Sequence, residues 1–384
     1  MKAAVLGYGT VGAGVYQMLR DAPGMEAGPV LVRPGKAVES FMVSDAALIF
    51  GDPTVDSVVE TLGGLDPAYS YGMRALEAGK HFITANKAMV AAHGLELAAL
   101  AREKGAAFLF SAACGGGVPF LHNLALSAET DRIEAVSGIL NGTTNYMLDA
   151  MQRRSLSYGD ALREAQSLGY AESDPTADVS GLDALRKMQL ACAVAFGVLP
   201  QSGMLCEGME HFTAADVEDI QSRGLVCRLL ARGSRAGESV SAYVEPVLFP
   251  RAAPESSVFT NNNMARYTGK RCGSIVLMGQ GAGRFPTASA VLRDLSAAQQ
   301  GARSMFTENC RAAEADNREA VHSYYIRTGG FAAVRLPLRS VLAQGEVVRA
   351  VTEPMSAEKM HALAQNIRKD GNDLFFAALE EELC

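Results

Sequence analysis

Short apolar runs, each closed by glycine and followed by residues at helical spacing, recur along the first third of the chain. Ala3 to Leu6 lead into Gly7-Tyr8-Gly9-Thr10-Val11-Gly12, and Val15 to Leu19 then continue with helical periodicity. This predicts strand, glycine turn and helix. The rhythm returns with a strand at Pro29 to Val32, and again at Val55 to Val59, where Glu60-Thr61-Leu62-Gly63-Gly64 opens a helix over Ala68–Ala78. A strand through Gly79–Lys87, a helix over Leu95–Lys104, a strand at Ala107–Phe110 and the glycine run Cys114–Pro119 complete a first unit. Alternating strand and helix predict an α/β fold with a parallel sheet.

Residues 120–284 change character. They mix helical segments such as Tyr158–Leu168 with strand-like runs such as Ser239–Leu248 and Ser274–Met278, which suits an α+β unit. Gly279-Gln-Gly281-Ala-Gly283 then opens a second glycine turn and helix, placed to return over the first unit; a plain interhelical linker is the alternative. The last stretch carries strands at Tyr324–Arg327 and Glu346–Val351, a helix at Ser356–Ile367 and a run to Cys384. The expected division is 1–118 with about 285–305 returning, 119–284, and a small module over 306–384; 384 residues exceed what one ordinary core holds.

Composition narrows the function classes. A net charge of -7 without a basic run offers no field for nucleic acid, and no apolar stretch is long enough to span a membrane. Seven scattered cysteines lack a C-x-x-C pair and read as reduced thiols, and the first residues lack a signal peptide, so a cytoplasmic protein is expected. The six histidines form no metal-ligand or triad spacing.

Candidate chemistry begins at the first turn. Gly7 permits the tight bend, Gly9 lets a pyrophosphate approach the backbone, and Gly12 lets helix and strand pack, with Thr10 and Val11 at the helix start facing the phosphates. That is a dinucleotide site, with a purely structural glycine turn as the alternative. Where a ribose-binding acid would stand, Arg33 and Lys36 instead suit a 2′-phosphate, which favours NADP; Glu39 keeps NAD open, and a solvated surface turn is the bland reading. Lys87, at the C-terminal end of its strand, falls on the ligand side of the sheet.

The densest polar stretch, Gly169 to Lys187, carries Glu172, Asp174, Asp178, Asp183 and Lys187 ahead of an apolar helix. Asp183 and Lys187 lie one turn apart, and a lysine ammonium there would neutralise and protonate an oxygen left negative by hydride addition, its pKa brought toward neutral by partial desolvation. Two ordinary readings stand beside this. Ser180-x-x-Asp183 fits a capping box, and Asp183 with Lys187 fits a surface ion pair worth only ~0.3–0.5 kcal/mol. Asp174-Pro175 likewise fits an N-cap with proline at the first helical position.

Over about residues 1–300 the chain resembles the homoserine dehydrogenase family. The motifs, in order, are Gly-Tyr-Gly-Thr-Val-Gly (7–12), Val-Val-Glu-Thr-Leu-Gly-Gly (58–64), Thr-Ala-Asn-Lys (84–87), Gly-Gly-Gly-Val-Pro (115–119) and Gly-Ile-Leu-Asn-Gly-Thr-Thr-Asn-Tyr (138–146). Leu-Gly-Tyr-Ala-Glu-Ser-Asp-Pro (168–175), the stretch 178–187 and Gly279–Val291 follow. The resemblance implies NAD(P)-dependent interconversion of L-aspartate 4-semialdehyde and L-homoserine, a step in threonine and methionine biosynthesis. It implies Lys187 as proton donor, Glu172, Asp178 and Asp183 holding the amino-acid end of the substrate or orienting the lysine, and Lys87 between nicotinamide and substrate. It implies Val11, Thr61, Gly169 and the turn containing Gly281 along the cofactor, the 141–145 segment shaping the substrate unit, and a homodimer built through the middle unit. The chain departs from the family at Ser111-Ala112, where Glu-Ala usually precedes the glycines and the Glu helps hold a monovalent cation. The carbonyls of Cys114, Gly116 and Val118 remain as sodium ligands. Residues 320–384 resemble a shortened or eroded amino-acid-sensing ACT module. The rival reading is a non-catalytic amino-acid or nucleotide sensor on the same fold.

Overall fold

The computed structural model describes residues 1–333 and 335–380; Cys384 and the end of the terminal run lie outside the described residues. The first sheet is parallel. Its strands are β1 (Lys2–Leu6), β2 (Glu26–Leu31), β3 (Met42–Val43), β4 (Ser57–Glu60), β5 (His81–Thr84) and β6 (Phe108–Leu109), in spatial order β3-β2-β1-β4-β5-β6. This is the doubly wound order of a Rossmann-type domain, with the reversal between β1 and β4. Helices α1 (Thr10–Asp21), α2 (Ala68–Glu77) and α3 (Lys87–Lys104) connect the strands.

Helix α3 begins eight residues before the expected Leu95. Asn86 caps it, its Oδ1 accepting from Met89 N at 3.1 Å, so Lys87 is the first helical residue. Gly94 interrupts the pattern in sequence for a packing reason: a Cβ there would lie 2.9 Å from the Phe306 ring. Strand β2 likewise starts earlier than Pro29, because Glu26 and Ala27 already pair with Lys2 and Ala3.

A second, ten-stranded sheet carries the rest. After α4 (Phe120–Thr130) come β7 (Ile133–Ile139), α5 (Gly142–Arg154), α6 (Tyr158–Ser167), the one-turn α7 (Thr176–Val179) and the long buried α8 (Leu182–Phe196). Strands β8 (Leu225–Ala236), β9 (Ser239–Pro250), β10 (Asn262–Gly269) and β11 (Gly273–Gln280) precede α9 (Arg284–Gln299). Helix α9 packs on α1. The approach is close at Gly14, where a Cβ would meet Arg284 Cγ at 2.8 Å.

The C-terminal residues supply β12 (Tyr324–Gly329), the one-turn α10 (Gly330–Ala333), β13 (Leu338–Ala343), β14 (Val347–Thr352), α11 (Ala357–Lys369) and β15 (Leu374–Leu379). Their strands lie in the order β15-β12-β14-β13, a β-α-β-β-α-β arrangement of ferredoxin-like topology whose first helix is reduced to one turn. They do not form a free-standing sheet. Strand β15 runs parallel to β9, pairing Val247 with Ala378 and Leu248 with Leu379, so the sheet reads β11-β10-β7-β8-β9-β15-β12-β14-β13, with Leu205–Cys206 also beside β9.

Two local expectations are corrected. Helix α8 is capped by Gly181 at φ +82° with no side-chain cap bond, and Ser180 Oγ is buried without a partner, so the capping box at Ser180 and Asp183 does not form. Pro175 is itself the cap of α7, and Asp174 Oδ1 instead accepts from the N–H and hydroxyl of Thr176 at 3.1 and 2.6 Å.

Candidate active site

Two clefts open at the C-terminal ends of the parallel strands, where open α/β sheets take their ligands. The first, about 990 Å³, follows the turn after β1 and reaches the turn after β2. Gly7 has φ +99°, a left-handed value that glycine tolerates. At Gly12 a Cβ would come within 2.1 Å of Gly7 O and 2.7 Å of Thr61 Oγ1, whereas at Gly9 nothing lies within 4 Å. Gly12 is therefore required for packing, and Gly9 leaves open space for a ligand. Thr10 is the first residue of α1, and Gly9 offers no side-chain cap, so the first N–H groups of the helix remain available to phosphate. These residues fit a dinucleotide pyrophosphate. Val11 is half-buried against the core, and Thr61 Oγ1 donates to Leu6 O at 3.0 Å, fastening β4 to the turn.

Arg33 and Lys36 line the far end of this cleft with Glu39. Lys36 N donates to Arg33 O at 3.0 Å, making the turn, and among the described residues neither side chain has an ion-pair partner.

The second cleft, about 610 Å³, lies between the first sheet and the middle unit. Its centre is Asp183, 9% exposed on the first turn of α8. Asp183 Oδ2 is 2.7 Å from Lys187 Nζ, and Oδ1 is 3.1 Å from Lys87 Nζ, so one carboxylate holds a lysine from each side of the cleft. The surface ion-pair reading of Asp183 and Lys187 is overturned by this burial. Lys187 Nζ also donates to Leu140 O at 2.6 Å.

Burial by itself would raise the Asp183 pKa, but the ammonium groups of Lys187 and Lys87, with hydrogen bonds from Lys187 and Asn141, hold its carboxyl well below the usual carboxylate range. Lys187 departs from the sequence expectation. Desolvation pulls its pKa down, yet the charge and hydrogen bond of Asp183, assisted by Asp178, outweigh it, and the pKa is raised rather than brought toward neutral. Lys187 therefore rests as a charged ammonium near neutral pH, with a proton to give. Burial pushes the neighbouring Cys114 thiol up to about 12, so it stays uncharged.

The remaining candidates gather here as well. Asp178 accepts from Asn141 Nδ2 at 2.7 Å and Thr143 Oγ1 at 3.0 Å. Glu172 is exposed on the cleft, and Gly169 and Gly281 line this cleft rather than the one beneath Gly7. At Gly281 a Cβ would lie 2.0 Å from Asn263 Cγ.

Sequence reading missed the supports. Glu60, fully buried at the end of β4, accepts from Leu62 N at 2.6 Å and from Thr84 Oγ1 at 2.5 Å; Thr84 Oγ1 in turn accepts from Asn86 N at 2.9 Å. That chain of bonds fixes the start of α3 and so the base of Lys87. A carboxylate ending an apolar strand was the available signal. Asp294 on α9 was also missed: Ser111 donates its N–H at 2.8 Å and its hydroxyl at 2.6 Å to the Asp294 carboxylate, and burial pushes Asp294 up to about 7.

The carbonyls of Cys114, Gly116 and Val118 lie on the loop between β6 and α4. Val118 O already accepts from Phe120 N at 2.8 Å, and Ser111 is committed to Asp294. Among the described residues, no group of three or more His, Cys, Asp or Glu side chains is placed to hold a metal ion. No step is derived through a cation at these carbonyls.

Comparison with known proteins meets this geometry. Residues 119–296 match the family described as Homoserine dehydrogenase, and residues 7–111 match Homoserine dehydrogenase, NAD binding domain. The chain is 39% identical to the homoserine dehydrogenase of Corynebacterium glutamicum over 76% of this chain and 70% of that protein. It is 37% identical to that of Synechocystis sp. over 77% and 72%. A solved homoserine dehydrogenase from Thiobacillus denitrificans superposes with a TM-score of 0.87 at 29% identity, covering 99% of this chain and 98% of that one. A hyperthermophilic archaeal homoserine dehydrogenase solved in complex with NADPH shares the fold, with a TM-score of 0.67 at 23% identity, over 81% of this chain and 99% of that one.

Proposed function

The chain belongs to the homoserine dehydrogenase family, oxidoreductases that interconvert L-aspartate 4-semialdehyde and L-homoserine with a nicotinamide dinucleotide, and we propose that Lys187, Asp183 and Lys87 carry this chain's proton chemistry. Nothing in the matches supports a non-catalytic sensor. The observation that carries the reading is the Asp183 carboxylate, which holds both lysines at the mouth of the cleft.

The nicotinamide, when bound, supplies or accepts the hydride. Lys187 Nζ gives a proton to the aldehyde oxygen as negative charge develops there, and takes it back from the homoserine hydroxyl in the reverse direction. Asp183 keeps the ammonium in place and charged; Lys87 adds positive charge from the first domain. Glu172, whose side chain is exposed on the cleft, and Asp178 receive the substrate ammonium. Residues 1–118 with 285–305 form the dinucleotide-binding unit, 119–284 the substrate and dimer unit, and 306–384 an appended module.

A pH dependence follows. The Lys187 pKa is raised, so semialdehyde reduction, which needs the ammonium, persists to high pH and falls as pH passes that value. Homoserine oxidation needs the free amine and rises over the same alkaline range. Opposite alkaline limbs in the two directions support the assignment, and parallel limbs contradict it.

NADP is the cofactor favoured by Arg33 and Lys36 at the end of the first cleft. Steady-state rates of homoserine oxidation with NAD and NADP test this. Arg33→Ala is expected to raise the NADP KM by ~10-fold with little change for NAD; equal effects on both cofactors would remove the 2′-phosphate role. A second copy of the chain is proposed along β11, an edge strand with Val276 and Met278 exposed at 41% and 59%.

A further inference from the structure

Asn141 sits between β7 and α5, 4% exposed, with every polar atom of its side chain engaged. Nδ2 donates to Asp178 Oδ1 at 2.7 Å and to Asp183 Oδ2 at 3.0 Å. Oδ1 accepts from Thr144 N at 2.8 Å and Thr144 Oγ1 at 3.0 Å, capping α5. The amide can point only one way: reversed, its oxygen would face two carboxylates and its NH₂ would face the Thr144 N–H.

One neutral group therefore bridges two like charges, and its second carboxylate contact is the same oxygen that receives Lys187. The residue before it supplies the Leu140 carbonyl to Lys187 Nζ. Without the amide, Asp178 and Asp183 lose their shared donor; Asp178 keeps only the Thr143 hydroxyl and Asp183 only the two lysines. Asp183 would then rotate toward either ammonium, changing where Lys187 points.

We propose that Asn141 is a positioning residue of the reaction, setting the orientation of Asp183 and through it the aim of the Lys187 ammonium, beyond its role as a helix cap. This rests on the reading of Lys187 as proton donor. Asn141 has no donor left for a substrate: both are spent on the two carboxylates, so its influence passes through them.

Asn141→Asp and Asn141→Ser separate positioning from capping, because both keep an acceptor suited to an N-cap. Asp adds a charge and removes the amide donor; Ser keeps a single hydroxyl donor and adds no charge. The expected result is a kcat loss on the order of 100-fold for N141D and ~10-fold for N141S, with dinucleotide affinity unchanged. The acid limb of kcat/KM should also move to higher pH in N141D. Asp183 faces Lys187 on its own helix, Lys87 on α3, Asp178 on α7 and Cys114 in the glycine loop; removing the amide bond and adding a carboxylate both favour its protonated form. Wild-type kcat and an unmoved acid limb in folded N141S and N141D would overturn the proposal and leave Asn141 a cap. If N141D does not fold, N141S alone decides through the same readouts. Lys187→Ala run alongside separates the two claims: an active K187A removes the proton-donor reading, whereas an inactive K187A with wild-type N141S removes only the present inference.

Discussion

Beneath Gly7 the dinucleotide cleft takes its shape from atoms that are missing: no Cβ at Gly9, none tolerable at Gly12, and a helix whose first N–H groups are left uncapped. The substrate cleft follows a different logic: the start of α3, the corner between β7 and α5, and α8 deliver Lys87, Asn141 and Lys187 to the single Asp183 carboxylate. The first site is built largely from backbone, with Arg33 and Lys36 at its far end. The second depends on three charges compensating one another away from water, where removing one partner strands another. Substitutions in the second should therefore collapse turnover and leave cofactor binding, and substitutions in the first should do the reverse.

A large separation is expected at Asp183, second only to Lys187 itself. Asp183→Asn keeps the shape but leaves Lys187 and Lys87 without their shared anion, and kcat should fall by ~10²–10³ with dinucleotide affinity close to wild type, read by steady-state kinetics and fluorescence titration. A normal kcat would mean that the lysines hold their places without it. Gly12→Ala probes the other cleft. A Cβ 2.1 Å from Gly7 O must displace the turn, so affinity for the dinucleotide should drop by about 10–100-fold while the charged cluster is untouched. Unchanged affinity would show that the turn has room to shift.

Asp294, buried on α9 and lining neither cleft, offers a smaller, thermodynamic effect. Its folded pKa of about 7 is above the ~3.9 of an unfolded aspartate, so the fold prefers the protonated form. Its contribution is most favourable below ~4 and is lost as pH rises through about 7. Asp294→Asn, which can still meet Ser111, should flatten that dependence and raise Tm by ~2–4 °C at pH 8 relative to wild type. An equally steep decline in the variant would place the titration elsewhere.

The contrast also marks what the sequence made legible. Gly7 to Gly12 and the alternation of strand and helix could be read directly, since local backbone geometry dictates residue type, whereas Thr61 came only through the family resemblance. Lys87, Asp178, Asp183 and Lys187 were found because they crowd short polar stretches, but spacing alone left Asp183 and Lys187 as a surface pair or a cap. Burial by α3 and the Leu140–Asn141 corner decides between these, and both come from far away in the chain. Glu60 and Asp294 act through distant partners, Thr84 and Ser111; a carboxylate ending an apolar strand hints at Glu60, while no local pattern reveals Asp294. The direction of the Lys187 pKa failed for the same reason: desolvation follows from an apolar helix, while the opposing charge depends on where Asp183 ends up. The C-terminal strands were partly visible, yet their fusion to β9 through β15 is a matter of sheet register across more than 100 residues.

The most direct test is Lys187→Ala, with homoserine-dependent dinucleotide reduction and dinucleotide binding measured on the same folded protein. Asp183 keeps Lys87 and Asn141 as partners in this variant, so the fold is expected to hold. The account predicts turnover reduced by ~10³-fold or more with binding unchanged; turnover equal to wild type would contradict it.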